Sequence, residues 1–410
     1  MKFLRNFMDK IQPDKAKSPF SYTLWDGIDT FLYAPGHVTH QGTHLKDSMD
    51  LKRTMIHVVL AMQFAFLLGA YNIGLQHYQA LGVDANIAAE FVYGLLQLLP
   101  LIIVVHVVGL GIEFLFAAKK GHAIEEGFLV SAFLIPLIMP PGVPLYMVAI
   151  ATAFSVLIAK EAFGGTGMNI FNVALVARVF IFFAYPSSIS GDTCWVAYDY
   201  NILHQALNFG DWLHISAGTA MIDGFSGATP LGLAVSGGWE AIQAATLPSG
   251  EQQYSISNMM WGFMPGSIGE MSKIGIIIGA IMLIKLKIAD WRIMFSMVIG
   301  VAFMGVIFNI AAPAFPDNGF IAIPFYMHYI MGSFLFAMAF MATDPVTAAS
   351  TNRGKFIYGF MIGVIGLIIR VANPAYPEGW MLAIIFMNIF ASLIDYNIIQ
   401  SNIKRRLSNV

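Results

Sequence analysis

The sequence predicts an all-α polytopic membrane protein with about ten transmembrane helices, because apolar residues dominate its composition and recur in long segments. Hydrophobic residues make up 57% of the 410 residues and charged residues 11%, whereas a soluble domain carries roughly 25% charged residues. With a mean hydropathy of +0.69, the chain has too few charges to cover the surfaces of soluble domains. Its single cysteine, Cys194, excludes a disulfide framework and an all-cysteine iron–sulfur cluster within the chain.

Ten apolar segments account for the predicted helices, since a transmembrane helix needs about 20 mostly apolar residues. The third and fourth segments are short and are separated only by Pro-Pro-Gly-Val at 140–143, so we expect broken or tilted helices there. Their prolines free backbone carbonyls that protein or a wet cavity must satisfy. The ten segments are 54–73, 91–118, 126–140, 144–159, 170–185, 272–289, 293–312, 324–341, 356–372 and 379–396.

The distribution of Lys and Arg predicts the orientation, because basic residues concentrate in cytoplasmic loops. No Lys or Arg lies between Arg178 and Lys273, where seven acidic residues occur, and the chain ends in a basic stretch. We therefore expect the chain in a bacterial inner membrane with both termini in the cytoplasm. The predicted regions are a cytoplasmic N-terminal segment at 1–50 that lies on the membrane surface or on partner subunits, transmembrane helices 1–5 at 51–185, a long periplasmic loop at 186–270, transmembrane helices 6–10 at 271–396 and a basic cytoplasmic tail at 397–410.

Five predicted helices on each side of the long loop indicate two repeats. Because five is odd, the second repeat would be inverted in the membrane, and inverted repeats place substrate sites near the midplane, often on broken helices. Sequence similarity between the halves is confined to 167–180 and 379–390, each of which opens the last helix of its half. We therefore predict two inverted five-helix repeats.

The segment from Asp223 to Thr229, inside the long loop, reads Asp-Gly-Phe-Ser-Gly-Ala-Thr. It combines a flexible backbone, small side chains, one acid and a hydroxyl, so it can extend into the active site of a modifying enzyme. On composition alone an ordinary turn is the better explanation.

This segment resembles the flavinylation motif Asp-Gly-x-Ser-Gly-Ala-Thr of the family of B subunits of the sodium-translocating NADH:quinone oxidoreductase. Other stretches resemble blocks of that family in the family's order, and together they cover almost the whole chain. These stretches are DSMDLKR at 47–53, KEAFGGTGMN at 160–169, FFAYP at 182–186, SGD at 190–192, PGSIGE at 265–270, MATDPV at 341–346, NPAYPEG at 373–379 and NIKRRL at 402–407.

The resemblance implies that a separate, metal-dependent transferase attaches FMN from FAD to Thr229 through a phosphoester bond. Asp223, Ser226 and Gly227 belong to the motif that the transferase reads. Thr229 is then an anchor and not a catalytic nucleophile. The flavin does the electron chemistry, and the protein holds and tunes it.

A glycine-rich turn precedes the fifth predicted helix and contains Gly165, Gly167, Asn169 and Asn172. Such a turn can approach a ligand closely, and Asn amides can recognise polar ring edges; a tight connection between two helices is the better explanation without the resemblance. The family also contains non-covalent riboflavin, which the resemblance places against these residues. The chain departs from the family pattern at Met168, where an arginine is usual, and at 173, where a proline is usual.

Three acids lie within or at the ends of predicted helices: Glu113, Asp344 and Asp395. An ionisable residue in a membrane span indicates function, and sodium prefers hard oxygen ligands, so we predict that these residues lie on an ion pathway. The alternatives are a solvated helix end for Asp344 and Asp395, and an ion pair with Lys119 or Lys120 for Glu113.

Two further sites are predicted from the helices themselves. Phe336 and Phe340 belong to an aromatic cluster that could form a hydrophobic gate, with core packing as the equal alternative. Gly109 lies one turn before Glu113 on a small-residue face, which close helix packing also explains. The resemblance places part of a quinone site near Gly109 and Glu113.

The resemblance therefore implies a membrane subunit of a sodium-pumping NADH:quinone oxidoreductase that is inactive alone. Electrons would pass between FMN on the outer face and riboflavin on the inner face, toward ubiquinone or menaquinone, coupled to Na⁺ translocation. The chain has no strand-linked Gly-x-Gly-x-x-Gly, so NADH oxidation belongs to a partner. The expected partners are the A, C, D, E and F subunits and the flavin transferase, with no nucleic acid, no catalytic side chain and no metal site.

Two other functions stay open. The D subunit of the related ferredoxin:NAD oxidoreductase resembles this chain in its membrane part and flavin motif, and the electron donor distinguishes the two. A non-redox channel or transporter with inverted repeats belongs to another class, and it would carry no flavin.

Overall fold

The chain folds into a helical bundle with two halves. The first helix of one half packs against the first helix of the other. The computed structural model describes residues 2–14, 17–33, 42–43, 51–120, 127–189, 191–192, 194–197, 227–247, 250–316, 318–373 and 375–408. Within these ranges, the only β-structure is one isolated bridge between Thr246 and Gln252. The all-helical fold class predicted from the sequence is therefore confirmed for the part of the chain that the structure describes.

Two helices precede the bundle: α1 (Lys2–Ile11) and α2 (Pro19–Leu32). Arg5 Nη1 lies 2.8 Å from Asp29 Oδ1, and Trp25 Nε1 donates to the carbonyl of Met8 at 2.9 Å, so the two helices form one unit. α2 also packs against the helix Ile87–Lys120.

The described part of the first half contains five helices, and their lengths differ strongly. The long helices are α3 (Leu51–Leu81) and α4 (Ile87–Lys120), whereas α5 (Phe128–Leu137) and α7 (Val173–Ala184) have only 10 and 12 residues. α6 (Leu145–Ser155) continues through a π-helical turn, Val156–Lys160, and a 3₁₀ turn, Glu161–Phe163.

The predicted long loop contains regular structure. α8 (Pro230–Ala244) and α9 (Ile256–Trp261) form between the two halves. α8 kinks at Gly237 and Gly238, and Gly238 has a φ of 63°, which favours glycine.

The second half begins with α10 (Lys273–Lys285) and α11 (Trp291–Ala311) and ends with α14 (Asn352–Ala372) and α15 (Trp380–Leu407). Between them lie α12 (Met327–Ile330) and α13 (Phe334–Phe336), which continues as a π-helix over Ala337–Met341.

Six helices in the described part of the chain are long and apolar enough to cross a membrane, namely Lys52–Leu81, Ile87–Lys120, Leu145–Phe163, Trp291–Ala314, Asn352–Ala372 and Trp380–Leu407. This confirms a multi-pass membrane protein. Of the two segments expected to be broken or tilted, 126–140 contains only the short helix Phe128–Leu137, whereas 144–159 belongs to the stretch Leu145–Phe163, in which α6 continues through two irregular turns.

The prediction of one continuous helix over 324–341 is wrong. Met331 is extended and Gly332 has a φ of 68°, and neither conformation fits a right-handed helix. The backbone therefore breaks between α12 and α13.

Glycines allow neighbouring helices of the bundle to pack closely. A methyl group on Gly279 would lie 2.4 Å from the carbonyl oxygen of Ala61 on α3, and one on Gly363 would lie 2.4 Å from that of Met297 on α11. Only a hydrogen lets these backbones approach so closely.

The two halves of the bundle meet through corresponding helices. α3 packs against α10, which are the first helices of the two halves, and α7 packs against α15, which are the last. Two inverted repeats would give this pairing. The repeats themselves stay a prediction.

Candidate functional site

Thr229 is the N-cap residue of α8. Its hydroxyl accepts the backbone N–H of Gly232 at 3.1 Å, and Pro230 follows at the first helical position, where a missing N–H does no harm. The hydroxyl of Tyr254 donates to the carbonyl of Ala228, next to it. Burial, with the charge of Asp192 adding to it, raises the pKa of Tyr254 above its usual range. The sequence Thr-Pro thus places the Thr229 hydroxyl at the start of a helix. It is the one side-chain hydroxyl of the motif that lies within the described residues.

The rest of the motif is only partly described. Gly227 is buried beside Ala228, whereas Asp223 and Ser226 lie outside the described residues. Their predicted role in recognition by a transferase therefore stays a prediction.

A cavity of about 330 Å³ opens beside Thr229, and we call it the Thr229 cavity. Its size lies at the lower end of the range of about 300–1,000 Å³ that small-molecule pockets occupy. The wall combines a cation, two acids and three aromatic rings: Arg178, Asp192, Glu378, Phe182, Trp195 and Tyr376. Aromatic surfaces with few polar groups suit a planar heterocycle such as the flavin ring.

Cys194 lies next to this wall and is buried. Burial raises the pKa of its thiol to about 11, although the nearby Arg178 lowers it in part. The thiol is therefore protonated at neutral pH and has little nucleophilic character.

The helix break between α12 and α13 lies close to Thr229, because Gly332 and Thr229 line the same small space. Charged side chains satisfy the backbone of the break. The ammonium of Lys273 donates to the carbonyl of Gly332 at 3.0 Å, and Nη1 of Arg370 donates to the carbonyl of His328 at 3.1 Å. Backbone groups freed inside a membrane must find such partners.

An acidic side chain accepts a hydrogen bond from the free backbone N–H at the same break. Glu378 Oε2 accepts the N–H of Ser333 at 3.1 Å and also the Ser333 hydroxyl. Arg370 is tied to this loop as well, because its Nε donates to the carbonyl of Pro377 at 3.0 Å. Cations therefore bind the free carbonyls and an anion binds the free N–H.

The buried charged residues at this break and beside the Thr229 cavity were not predicted from the sequence. Arg178, Glu270, Lys273 and Arg370 are all buried, with Lys273 and Arg370 at 0% exposure. Three of them lie inside predicted membrane spans, where any ionisable residue indicates function. That signal was present in the sequence, but Arg178 and Lys273 served only as the limits of a region without basic residues.

A second cavity lies at the other end of α7, and we call it the Asn172 cavity. Asn172 Oδ1 caps α7 by accepting the N–H of Ala174 at 3.1 Å, while its Nδ2 donates to Asp344 at 3.4 Å. Asn169 Nδ2 donates to the carbonyl of Phe171 at 3.0 Å. The structure thus brings together Asn169, Asn172 and Asp344, which were predicted as parts of two different sites.

The glycine turn beside this cavity needs glycine for its backbone. Gly165 has a φ of 106° and Gly167 a φ of 83°, conformations that other residues adopt only with strain. The cavity itself measures about 90 Å³, well below the about 300 Å³ at which small-molecule pockets begin. Because both functional groups of Asn172 are also engaged, the residues do not fit a flavin ring in this conformation.

Glu113 is buried and pairs with Lys160, which lines the Asn172 cavity. The alternative that Lys119 or Lys120 neutralises it is wrong, because Lys120 instead lies 3.0 Å from Glu161. The π-helical turn at 156–160 places Lys160 against α4, and sequence spacing gives no sign of that turn.

Gly109 lies directly against the ring of Phe128. A methyl group at Gly109 would lie 2.0 Å from the Phe128 ring, whereas one at Gly111 would meet nothing within 4 Å. Close packing therefore explains Gly109, and its predicted part in a quinone site stays a prediction.

Of the remaining predicted ion-pathway residues, the two phenylalanines lie together and Asp395 lies elsewhere. Phe336 and Phe340 are buried with ring centroids 5.1 Å apart, and Phe340 lines the Asn172 cavity. Asp395 lies apart from that cavity and binds the start of α14.

These features define a polytopic helical membrane protein with two polar cavities at the two ends of one short helix. α7 has 12 residues and is therefore about 18 Å long at about 1.5 Å per residue. Asn172 caps one end of α7, and Phe182 faces the Thr229 cavity near the other.

Comparison with known proteins identifies the family. The sequence matches the NQR2, RnfD, RnfE family over residues 38–404. The B subunit of the Na(+)-translocating NADH-quinone reductase of Chromohalobacter salexigens is 41% identical, with 98% of this chain and 96% of the relative covered. The B subunits of the same reductase from Klebsiella pneumoniae and Haemophilus influenzae are 41% and 38% identical, with 99% and 98% of each chain covered. The chain belongs to the NQR2, RnfD, RnfE family, which confirms the resemblance that the motifs indicated.

Proposed function

We propose that this chain is the membrane subunit of a Na⁺-translocating NADH–quinone reductase and carries FMN on Thr229. Relatives with this printed name align with nearly the whole chain. The observation that carries the flavin proposal is the Thr229 hydroxyl at the edge of a cavity with aromatic and cationic walls. Bound FMN would supply the electron-transfer chemistry, and the protein would hold and orient it.

The site suits a phosphoester. A transferase would form the bond from Thr229 Oγ1 to phosphorus and break the pyrophosphate of FAD, releasing AMP. The phosphate would then lie at the N-terminus of α8, where the N–H of Gly232 already points at Oγ1 and the helix dipole favours an anion.

The second half of the proposal concerns the Asn172 end of the bundle. Asp344, Phe340 and Lys160 line the Asn172 cavity, and we propose that Na⁺ passes here and beside Phe336. Moving one charge against 100 mV takes about 2.3 kcal/mol, which electron transfer must supply. Riboflavin at Asn169 and Asn172 requires this cavity to widen.

Covalent flavin is tested on the full chain produced together with a flavin transferase. We expect a fluorescent band on a denaturing gel and one FMN on the peptide that contains Thr229, both lost in Thr229→Val. Thr246→Val, an exposed threonine in the same region, is the matched control and should keep the flavin. A dark band beside an active control substrate would contradict the proposal and favour a non-redox transporter. Reduction of the flavin in the whole complex by reduced ferredoxin, and not by NADH, would favour the ferredoxin-dependent relative.

A further inference from the structure

Arg178 is a buried cation, and two of its three nitrogen atoms make no hydrogen bond in the described part of the chain. Its side chain is 2% exposed, and its Nε and Nη1 make no hydrogen bond with any residue that the structure describes. A buried N–H group without a hydrogen-bond acceptor is unfavourable unless a ligand supplies one. Arg178 therefore indicates that something with acceptor atoms occupies the neighbouring space.

That space is the Thr229 cavity, which Arg178 lines together with Thr229. The guanidinium carbon of Arg178 lies 5.6 Å from the ring centroid of Trp195. The hydroxyl of Tyr376, on the same wall, is buried close to the Arg178 side chain and interacts with it, but it makes no hydrogen bond of good geometry among the described residues. The Arg178 guanidinium, the adjacent Tyr376 hydroxyl and the surfaces of two aromatic rings thus face one cavity.

We propose that Arg178 binds the isoalloxazine ring of the FMN on Thr229 and donates hydrogen bonds to the carbonyl oxygens of its pyrimidine edge. The proposal rests on the proposed attachment of FMN. A flavin ring has aromatic faces for Trp195 and Tyr376, and its pyrimidine edge has two carbonyl acceptors that match the rigid donors of a guanidinium. Reduction adds negative charge to that edge, and a buried cation stabilises it.

Charges near the ring decide how strong this effect is. Asp192 and Glu378 also line the cavity, but Glu378 is already engaged by Ser333. Arg178 makes no ion pair with either acid in the described part of the chain. Its charge does interact with that of the buried Glu270, which weakens its effect on the ring without cancelling it.

The test uses the full flavinylated chain and the variants Arg178→Gln, Arg178→Lys and Trp195→Leu. Arg353→Gln, an exposed arginine at the start of α14, is the matched control. Gel fluorescence and peptide mass first establish that FMN is attached to Thr229. Iodide quenching of the FMN fluorescence then reports access to the ring, and a redox titration of the isolated chain gives its midpoint potential.

We expect Arg178→Gln to keep the covalent FMN, to raise its iodide quenching and to lower its midpoint potential. A tenfold weaker preference for the reduced ring corresponds to about 59 mV for a one-electron couple. Arg178→Lys should fall between Arg178→Gln and the parent, Trp195→Leu should raise quenching, and Arg353→Gln should match the parent.

Attached FMN with unchanged quenching and potential in Arg178→Gln would overturn the proposal. If Arg178→Gln does not fold, the same results in Arg178→Lys and Trp195→Leu would overturn it. If no chain, including the parent, carries FMN on Thr229, the proposed function itself is wrong. That outcome is distinct from a failure of the Arg178 proposal, in which FMN is attached.

Discussion

The carboxylate of Asp395, on α15, accepts two hydrogen bonds from Thr351, one from its backbone N–H at 3.0 Å and one from its hydroxyl at 2.5 Å. It also accepts the N–H of Ser350 at 2.6 Å. Thr351 is the N-cap residue of α14, so Asp395 places a negative charge where the helix dipole favours it. The acid predicted for ion transport therefore also joins the two last helices of the chain.

Asp395→Asn should lower the thermal stability of the purified chain in detergent. Replacing a capping acceptor typically destabilises by about 1 kcal/mol, and losing the charge at a helix start adds about 0.3–1 kcal/mol. Asp84→Asn, at an exposed acid between α3 and α4, should leave the melting temperature unchanged. Unchanged stability of Asp395→Asn with abolished Na⁺ uptake by the reconstituted complex would show a role in the ion pathway instead.

Gly109→Ala should destabilise the chain, whereas Gly111→Ala should not. The added methyl at Gly109 would overlap the ring of Phe128, which is 1% exposed, and overpacking a buried site costs about 1–3 kcal/mol. Melting temperatures of the two variants give the comparison. Phe128→Leu should restore part of the loss in Gly109→Ala. Equal melting temperatures for Gly109→Ala, Gly111→Ala and the parent would mean that the ring moves aside freely.

Lys160→Gln should destabilise more than the double variant Glu113→Gln/Lys160→Gln. The two side chains are 5% and 6% exposed, and removing one member of a buried ion pair typically costs about 3–5 kcal/mol, because it leaves a buried charge without a partner. The double variant removes both charges. Thermal melting and expression yield measure the difference, with the exposed Lys119→Gln as control. A destabilised Lys119→Gln with a normal Lys160→Gln would contradict the pairing.

Cys194 should react slowly with iodoacetamide in the folded chain. With a pKa of about 11, about one thiol in a thousand is ionised at pH 8, against about a quarter for an unfolded cysteine with a pKa near 8.5. Alkylation of the native chain should therefore be at least about a hundredfold slower than after denaturation. Since Cys194 is the only cysteine, the mass of the intact chain reports the reaction directly. Equal rates before and after denaturation would contradict the burial.

The same pKa difference sets a pH dependence of stability. The folded pKa is higher than the unfolded one, so the folded state holds the proton more tightly. The contribution of Cys194 to stability is therefore complete below about pH 8.5 and is lost as the pH rises toward 11. Cys194→Ser should remove this part of the alkaline destabilisation, as measured by thermal melting between pH 7 and about 11.

The long helices and the family motifs could be predicted because each depends on neighbouring residues. An apolar run such as 91–118 has to become a buried or lipid-facing helix, and α4 follows it closely. Thr229 could be singled out for a similar reason, since a modification motif is a local pattern. The segments 170–185 and 272–289 gave shorter helices than predicted, because apolar composition continues past the residues at which the backbone turns.

Pairs of distant residues could not be predicted in this way. Glu113 and Lys160 are 47 positions apart, and Asn172 and Asp344 are 172 positions apart. Their contacts depend on how α4, α6 and α7 pack, and hydropathy carries no information about that packing. The functional candidate that the sequence analysis missed, Arg178, becomes visible only when its surroundings are known.

The sequence by itself determined a helical, multi-pass membrane protein, its family and the threonine at which a flavin is proposed. Composition and short motifs suffice for these, because lipid forces backbone hydrogen bonds into helices. The tertiary structure alone decided where a helix breaks and which charges are buried together. The break at Gly332 persists because Lys273, Arg370 and Glu378 satisfy its backbone groups, and in a medium of low dielectric constant such partners must come from helices that are distant in sequence.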